Sequence, residues 1–209
     1  MCSSPHVLAV HPLGRRERRQ RVHCVGEGEP GQIELRVGGA GTPAHLAGEL
    51  FKLAFGVDIT HVPFTGGGPA MTATLGGHTS CVVSALPTGA PYARAGNVRA
   101  LALMGARRSP LLPDVPTMAE ATGIGLEADI VTGLVAPAGT PKEVVSLLHR
   151  AIANIVAPPE FNDRLLALSF DPVASAPDQF AHWIKIEIAK WVRSFATPAS
   201  PCSDTFTMA

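Results

Sequence analysis

The chain has 209 residues, 46% hydrophobic and 16% charged, and its 17 basic and 17 acidic side chains cancel to a formal net charge of zero. That length buries a sizeable core, and the apolar fraction excludes a globally disordered chain. Neutrality argues against a polyanion partner, and no nucleic acid is expected to bind. The neutrality is unevenly made, however. Five of the thirteen arginines, with one glutamate, lie in residues 15–21, which leaves 12 basic against 16 acidic residues elsewhere. The body is mildly acidic, and one short basic patch offsets it.

Four cysteines (Cys2, Cys24, Cys81, Cys202) are widely spaced with no C-x-x-C pair, so neither a zinc ribbon nor a disulfide framework is indicated. No apolar run reaches the ~18 residues of a membrane span. The stretch from Met1 to Val10 has no basic n-region and too short an apolar run for a signal peptide, so the chain as written is expected to stay in the cytoplasm.

In chain order, residues 1–29 read as irregular with one strand at 7–12, followed by an Arg-rich string and Gly26-Glu-Gly-Glu-Pro-Gly31. Ile33–Val37 alternates as a strand and Gly38-Gly-Ala-Gly41 forms a turn. Thr42 can cap a helix with Pro43 at its first position, and Leu46, Leu50, Leu53 and Ala54 then recur at helical spacing. Ile59–Pro63 is a strand, Thr65-Gly-Gly-Gly-Pro69 a turn and Ala70–Leu75 a short helix. Cys81–Val83 and Arg99–Met104 are strands, separated by a helical turn at Tyr92–Ala95. Two capping boxes follow, Thr117-Met-Ala-Glu120 and Thr140-Pro-Lys-Glu143, on either side of a strand at Ile130–Ala136. The second opens a helix with Val144, Leu148, Ile152 and Ile155 on one face. Phe161–Leu168 and Pro177–Trp191 are further helices, and 196–209 reads as a disordered tail. Alternating strands and helices imply an open, largely parallel α/β sheet with a change of layer near 105–130.

Two Gly-rich turns lead from a strand into a helix, at Gly38–His45 and at Thr65–Ala70. Glycines let the backbone approach a ligand there, while the first helical amides and the dipole attract an anion. Such turns lie at the carboxyl ends of strands, where α/β sheets bind ligands. Either turn alone is what any strand-to-helix junction shows; two in close succession favour a carboxylate- or phosphate-sized ligand. Neither has a P-loop lysine, so a nucleotide is not indicated. His45 either donates to a bound anion or finishes the first helical turn, the second being favoured. His61 and His78 have no partner at metal-ligand spacing, and Glu49 and Asp58 read as solvated carboxylates. No nucleophile motif is present, and no cofactor or metal is implied.

Longer motifs add a resemblance. They are Val7-Leu-Ala-Val-His-Pro12, Pro30-Gly-Gln-Ile33, Ala40-Gly-Thr-Pro-Ala-His-Leu-Ala-Gly-Glu-Leu-Phe51 and His61-Val-Pro-Phe-Thr-Gly-Gly-Gly-Pro-Ala70. Leu75-Gly-Gly77, Arg99-Ala-Leu-Ala102, Arg108-Ser-Pro-Leu-Leu-Pro-Asp-Val-Pro-Thr-Met-Ala-Glu-Ala121 and Gly133-Leu-Val-Ala-Pro-Ala-Gly-Thr-Pro141 complete the set. In order and spacing they resemble the Bug-type extracytoplasmic solute receptors of tripartite tricarboxylate transporters. The resemblance implies a type II periplasmic-binding-protein-like α/β fold in incomplete form. Residues 30–105 would be the second, ligand-binding domain, 106–130 a crossover link and 131–195 the return of the first domain.

It further implies a periplasmic receptor, not an enzyme, that holds a small carboxylate and delivers it to membrane permease subunits. By position the pocket residues would be Ala40, Gly41, Thr42, Pro43, Gly66, Gly67, Ser84 and Thr88. Where relatives usually show Phe-Asp-Asn-Leu-Pro, this chain has Val83-Ser-Ala-Leu-Pro87, which replaces two polar groups expected to orient the ligand. Residues 14–29 and those after 193 depart from the family pattern, as a shifted reading frame would. Relatives are longer, opening with a signal peptide and the first part of the first domain, so weak or no binding is expected of this chain by itself. The alternative reading is a small cytoplasmic α/β enzyme acting on an anionic metabolite, with His45 and Ser84 as its poor candidates.

Overall fold

The computed structural model describes residues 2–12, 34–57, 59–78 and 81–196. The Arg-rich segment, Asp58, Cys24, Cys202 and the tail after 196 lie outside the described residues. In chain order the elements are β1 (Cys2–Val10), β2 (Glu34–Val37), α1 (Pro43–Phe55), β3 (Thr60–Pro63), α2 (Gly67–Leu75), β4 (Cys81–Ala85) and α3 (Leu86–Arg94). Then come β5 (Arg99–Met104), α4 (Met118–Thr122), β6 (Asp129–Thr132), α5 (Lys142–Val156), α6 (Pro159–Ala167), β7 (Asp171–Pro172) and α7 (Pro177–Ala196).

The strands run in the order β3-β2-β4-β1-β5, and β6 and β7 also pair with β1. β2 is parallel to β3 and β4, but β1 is antiparallel to β4, β5, β6 and β7. The sheet is therefore mixed, which corrects the expectation of a largely parallel one. β1 is also longer than its apolar run suggests. His6–Val10 lies between β4 and β5, while Cys2–Pro5 pairs with β6 and Cys2–Ser3 with β7. Its first residues are polar, and their pairing partners are far away in sequence, so no local pattern announces them. One strand thus joins the main sheet to the 129–196 region.

Both faces of the main sheet are covered, which is why Val7-Leu-Ala-Val10 reads as a continuous apolar run. Leu8, Val10, Leu35, Val37, Phe51 and Met118 form one buried cluster. Val7, Leu86 and Leu103 pack in a second, and Ala9, Met71 and Val82 in a third. In α1 the buried residues are Ala47, Gly48 and Phe51, and Leu46 and Leu53 stay half-buried. The small pair lets the helix sit close: a Cβ on Gly48 would lie 2.7 Å from Leu35 Cδ2.

Several local expectations shift. The turn at Tyr92–Ala95 is the end of a nine-residue helix whose period Pro87 and Pro91 disguise. The capping box at Thr117 forms: its hydroxyl accepts from the Glu120 amide, and Glu120 accepts from the Thr117 amide. The one at Thr140 does not. Its hydroxyl donates to the Pro137 carbonyl at 2.8 Å, and Pro141 takes the N-cap position of α5 without a side-chain bond. The strand expected over Ile130–Ala136 stops at Thr132, and beyond it Leu134 and Val135 are 76% and 81% exposed. No residue of α5, α6 or α7 is buried, although their apolar residues recur at helical spacing. That side of the molecule carries an unpartnered apolar face.

Candidate functional site

The carboxyl ends of β2, β3 and β4 point the same way, and each leads into a helix, so three helix N-termini gather at one edge of the sheet. The two Gly-rich turns meet there. A Cβ on Gly38 would lie 2.9 Å from the Gly67 amide nitrogen and 3.2 Å from the Gly66 carbonyl carbon. Gly39, at φ +128°, runs under the Phe64 carbonyl, which a Cβ would meet at 3.1 Å. Only glycine at 38 and 39 lets the turns close together.

The third wall comes from β4 and α3. A Cβ on Gly67 would stand 3.9 Å from Thr88 Cγ2 and 4.0 Å from Ser84 Oγ. Ser84 is buried, and its hydroxyl has a long contact of 3.4 Å to the Ala85 carbonyl. Gly66, Gly67, Ser84 and Thr88 are therefore brought together, with Gly38 as the contact the sequence reading missed.

The first turn is largely self-satisfied. Thr42 Oγ1 donates to the Gly39 carbonyl (2.8 Å) and accepts from the His45 amide (3.4 Å). The Thr42 amide donates to the Gly39 carbonyl, and the Gly41 amide donates to His45 Nδ1 at 2.9 Å. Pro43 is exposed at the first helical position and has no amide hydrogen, and Ala40 and Gly41 are exposed. Thr42, Gly41 and Pro43 thus shape this turn more than they offer donors. At α2 the N-cap is Gly66 with no side-chain bond, and Pro69 lacks an amide hydrogen. Among the described hydrogen bonds none uses the Gly67 or Gly68 amides. α3 likewise has no side-chain cap. The open donors of the site are at α2 and α3, and their partial positive ends suit an anion.

The histidines form an arrangement that sequence spacing did not show. His45 stacks on His61 with centroids 4.1 Å apart, and its Nε2 lies 3.8 Å from Glu49 Oε1. Glu49 also pairs with Lys52 at 3.3 Å, so this carboxylate is paired rather than merely solvated. Burial, and then the neighbouring His45, push the His61 pKa down. No group of three metal-ligating side chains exists among the described residues. An apolar cavity of about 840 Å³ lies elsewhere, lined by Leu148, Ile152, Phe161, Leu165, Phe180 and Ile184.

Proteins similar to this chain in sequence and fold are known. Protein BugT of Bordetella pertussis is 32% identical over 187 residues, which cover 90% of this chain and 57% of BugT. The structure of R. palustris Rpa4515 with adipate superposes with a TM-score of 0.85 at 29% identity, over 93% of this chain and 65% of that one. MatC (Rpa3494) from Rhodopseudomonas palustris with bound malate gives a TM-score of 0.83 at 28% identity, covering 92% of this chain and 67% of that one. This chain therefore spans less than two thirds of the first two relatives. Residues 1–196 match the family described as Tripartite tricarboxylate transporter family receptor. With that match over most of its length and a fold shared with the similar solved structures, the chain belongs to the tripartite tricarboxylate transporter receptor (TctC) family.

Proposed function

We propose that the chain is a solute-binding receptor for a small carboxylate, and that it feeds a tripartite tricarboxylate transporter through the membrane permease subunits, outside the cytoplasmic membrane. One observation carries the reading. Gly67 lies beside the Ser84 and Thr88 side chains at the carboxyl ends of three parallel strands, and among the described hydrogen bonds none uses the Gly67 or Gly68 amides. Amides at a helix start bind a carboxylate without any cationic side chain. Adipate and malate in two of the similar structures are both dicarboxylates, which supports the same ligand class here.

Ala40, Gly41, Thr42 and Pro43 form the rim of the pocket, while Gly66, Gly67, Ser84 and Thr88 line its floor. The short Ser84 side chain and Ala85 leave room that larger polar groups would fill. The donors described come from one end of the sheet, and the affinity that they supply by themselves is expected to be weak. An NMR titration with adipate and with malate suits weak affinity. Shifts confined to the Gly67, Gly68, Ser84 and Thr88 amides are expected. A titration that moves none of them, or moves only residues lining the apolar cavity, would overturn the reading.

A further inference from the structure

By sequence His45 either donates to a bound anion or, the favoured reading, finishes the first helical turn. The geometry assigns it the opposite role toward the turn. The Gly41 amide can only donate, so the His45 Nδ1 that receives it at 2.9 Å must be unprotonated. The neutral ring then carries its proton on Nε2, the atom 3.8 Å from Glu49 Oε1. His61 closes the other side of the ring, stacked at 4.1 Å with its own Nε2 buried and without a hydrogen-bond partner among the described residues.

We propose that His45 is a positioning residue for the ligand turn, holding Gly41 through its bare Nδ1, so that protonation of His45 releases the turn. This rests on the reading of the Gly-rich edge as the carboxylate site.

The consequence follows from the groups around the ring. Glu49 and Lys52 face it from α1, and His61 from β3. A proton added to His45 can go only to Nδ1, because Nε2 already holds one. That removes the acceptor for the Gly41 amide. Gly41 sits at φ +75° with nothing near its Cα face, so this hydrogen bond and the neighbouring Thr42–Gly39 bonds restrain the turn. Acidification therefore loosens the rim of the pocket rather than adding a cationic anchor for the ligand.

The test uses the full chain and separates the two readings. Nitrogen-15 shifts should show the Nε2–H tautomer of His45 at neutral pH, and the Gly41 amide should be protected from exchange. As acid is added, Gly41 protection should fall in step with the His45 protonation that the nitrogen-15 shifts record, and adipate affinity should drop about fivefold. His45→Asn presents an oxygen where Nδ1 stands and does not titrate, so it should keep Gly41 protected with no pH dependence. His45→Gln puts its polar group at the ε position and should leave Gly41 unprotected. An Nδ1–H tautomer, a Gly41 amide indifferent to acid, or identical behaviour of the two variants would overturn the proposal. If Gly41 behaves as stated while adipate moves no amide of the site, the ligand reading fails and the role of His45 stands.

Discussion

Gly38 and Gly67 meet backbone to backbone: a methyl group on Gly38 would lie 2.9 Å from the Gly67 amide nitrogen. The two Gly-rich turns are thus one structure, although residues 46–64 separate them in the chain. Because the obstacle is backbone rather than a flexible side chain, nothing can swing aside. Gly38→Ala is expected to cost about 1–3 kcal/mol of stability, as overpacking does, and to displace the α2 amides. Urea unfolding monitored by circular dichroism measures the first, and amide shifts at Gly67 and Gly68 the second. An unchanged midpoint would mean that the turns are not held this tightly.

Gly67→Ala separates binding from folding. Its new Cβ would make ordinary contacts of 3.9 and 4.0 Å with Thr88 and Ser84, so stability should change by less than about 0.5 kcal/mol. The same methyl occupies the space beside Ser84 and should weaken adipate binding about tenfold. Parallel titrations and urea melts test this. Equal affinity in both proteins would place the ligand elsewhere.

Acid should weaken the fold through His6. Its Nδ1–H donates to the Ala128 carbonyl at 2.6 Å, and Nε2 is buried without a partner among the described residues. Burial lowers its pKa, outweighing that hydrogen bond, which raises it. The unfolded chain takes up the proton at the ordinary histidine value, so the contribution to stability is complete above that value. It is lost progressively as pH falls toward the depressed folded one. His61 acts in the same direction. Asp129, whose pKa is raised by burial, opposes them at lower pH. His6→Asn can keep a donor for Ala128 without titrating. Urea midpoints across about pH 5 to about pH 8 should therefore slope less in the variant, and equal slopes would refute the assignment.

Thiol chemistry should follow burial. Cys81 is buried in β4 and its thiol is pushed up to about 12, whereas Cys2 at the start of β1 is only partly covered. In a protein with Cys24→Ser and Cys202→Ser, a thiol reagent should label Cys2 readily and Cys81 only at the rate of unfolding. Simultaneous labelling of both would show that the sheet opens locally.

The loop after β6 presents Leu134 and Val135 almost fully to solvent. Leu134→Ser combined with Val135→Ser should change stability by less than about 0.5 kcal/mol, because little apolar area is lost from the core. It should also reduce fluorescence of a dye that binds exposed apolar surface. A large loss of stability would mean that the loop is covered in solution.

The elements with strong local signals were legible in the residues themselves. Thr42 followed by Pro43 marked the start of α1, Thr117 with Glu120 the start of α4, and the Gly-rich turns the junctions from β2 and β3 into helices. Each depends on hydrogen bonds within a few residues, which adjacent side chains specify. Thr140 shows the limit of that logic: the same box pattern is present, but the Pro137 carbonyl takes the hydroxyl first.

What composition, caps, glycine placement and motif order determined was the class of fold and the family. Only tertiary structure decided that β1 runs antiparallel through the sheet and joins both regions, because its partners lie up to 170 residues away. Tertiary structure alone brought Gly38 against Gly67, stacked His45 on His61 and left α5, α6 and α7 without buried residues. Hydrogen-bonding propensity and periodicity are local properties of a chain. Register, close approach and burial arise only when distant segments compete for the same space.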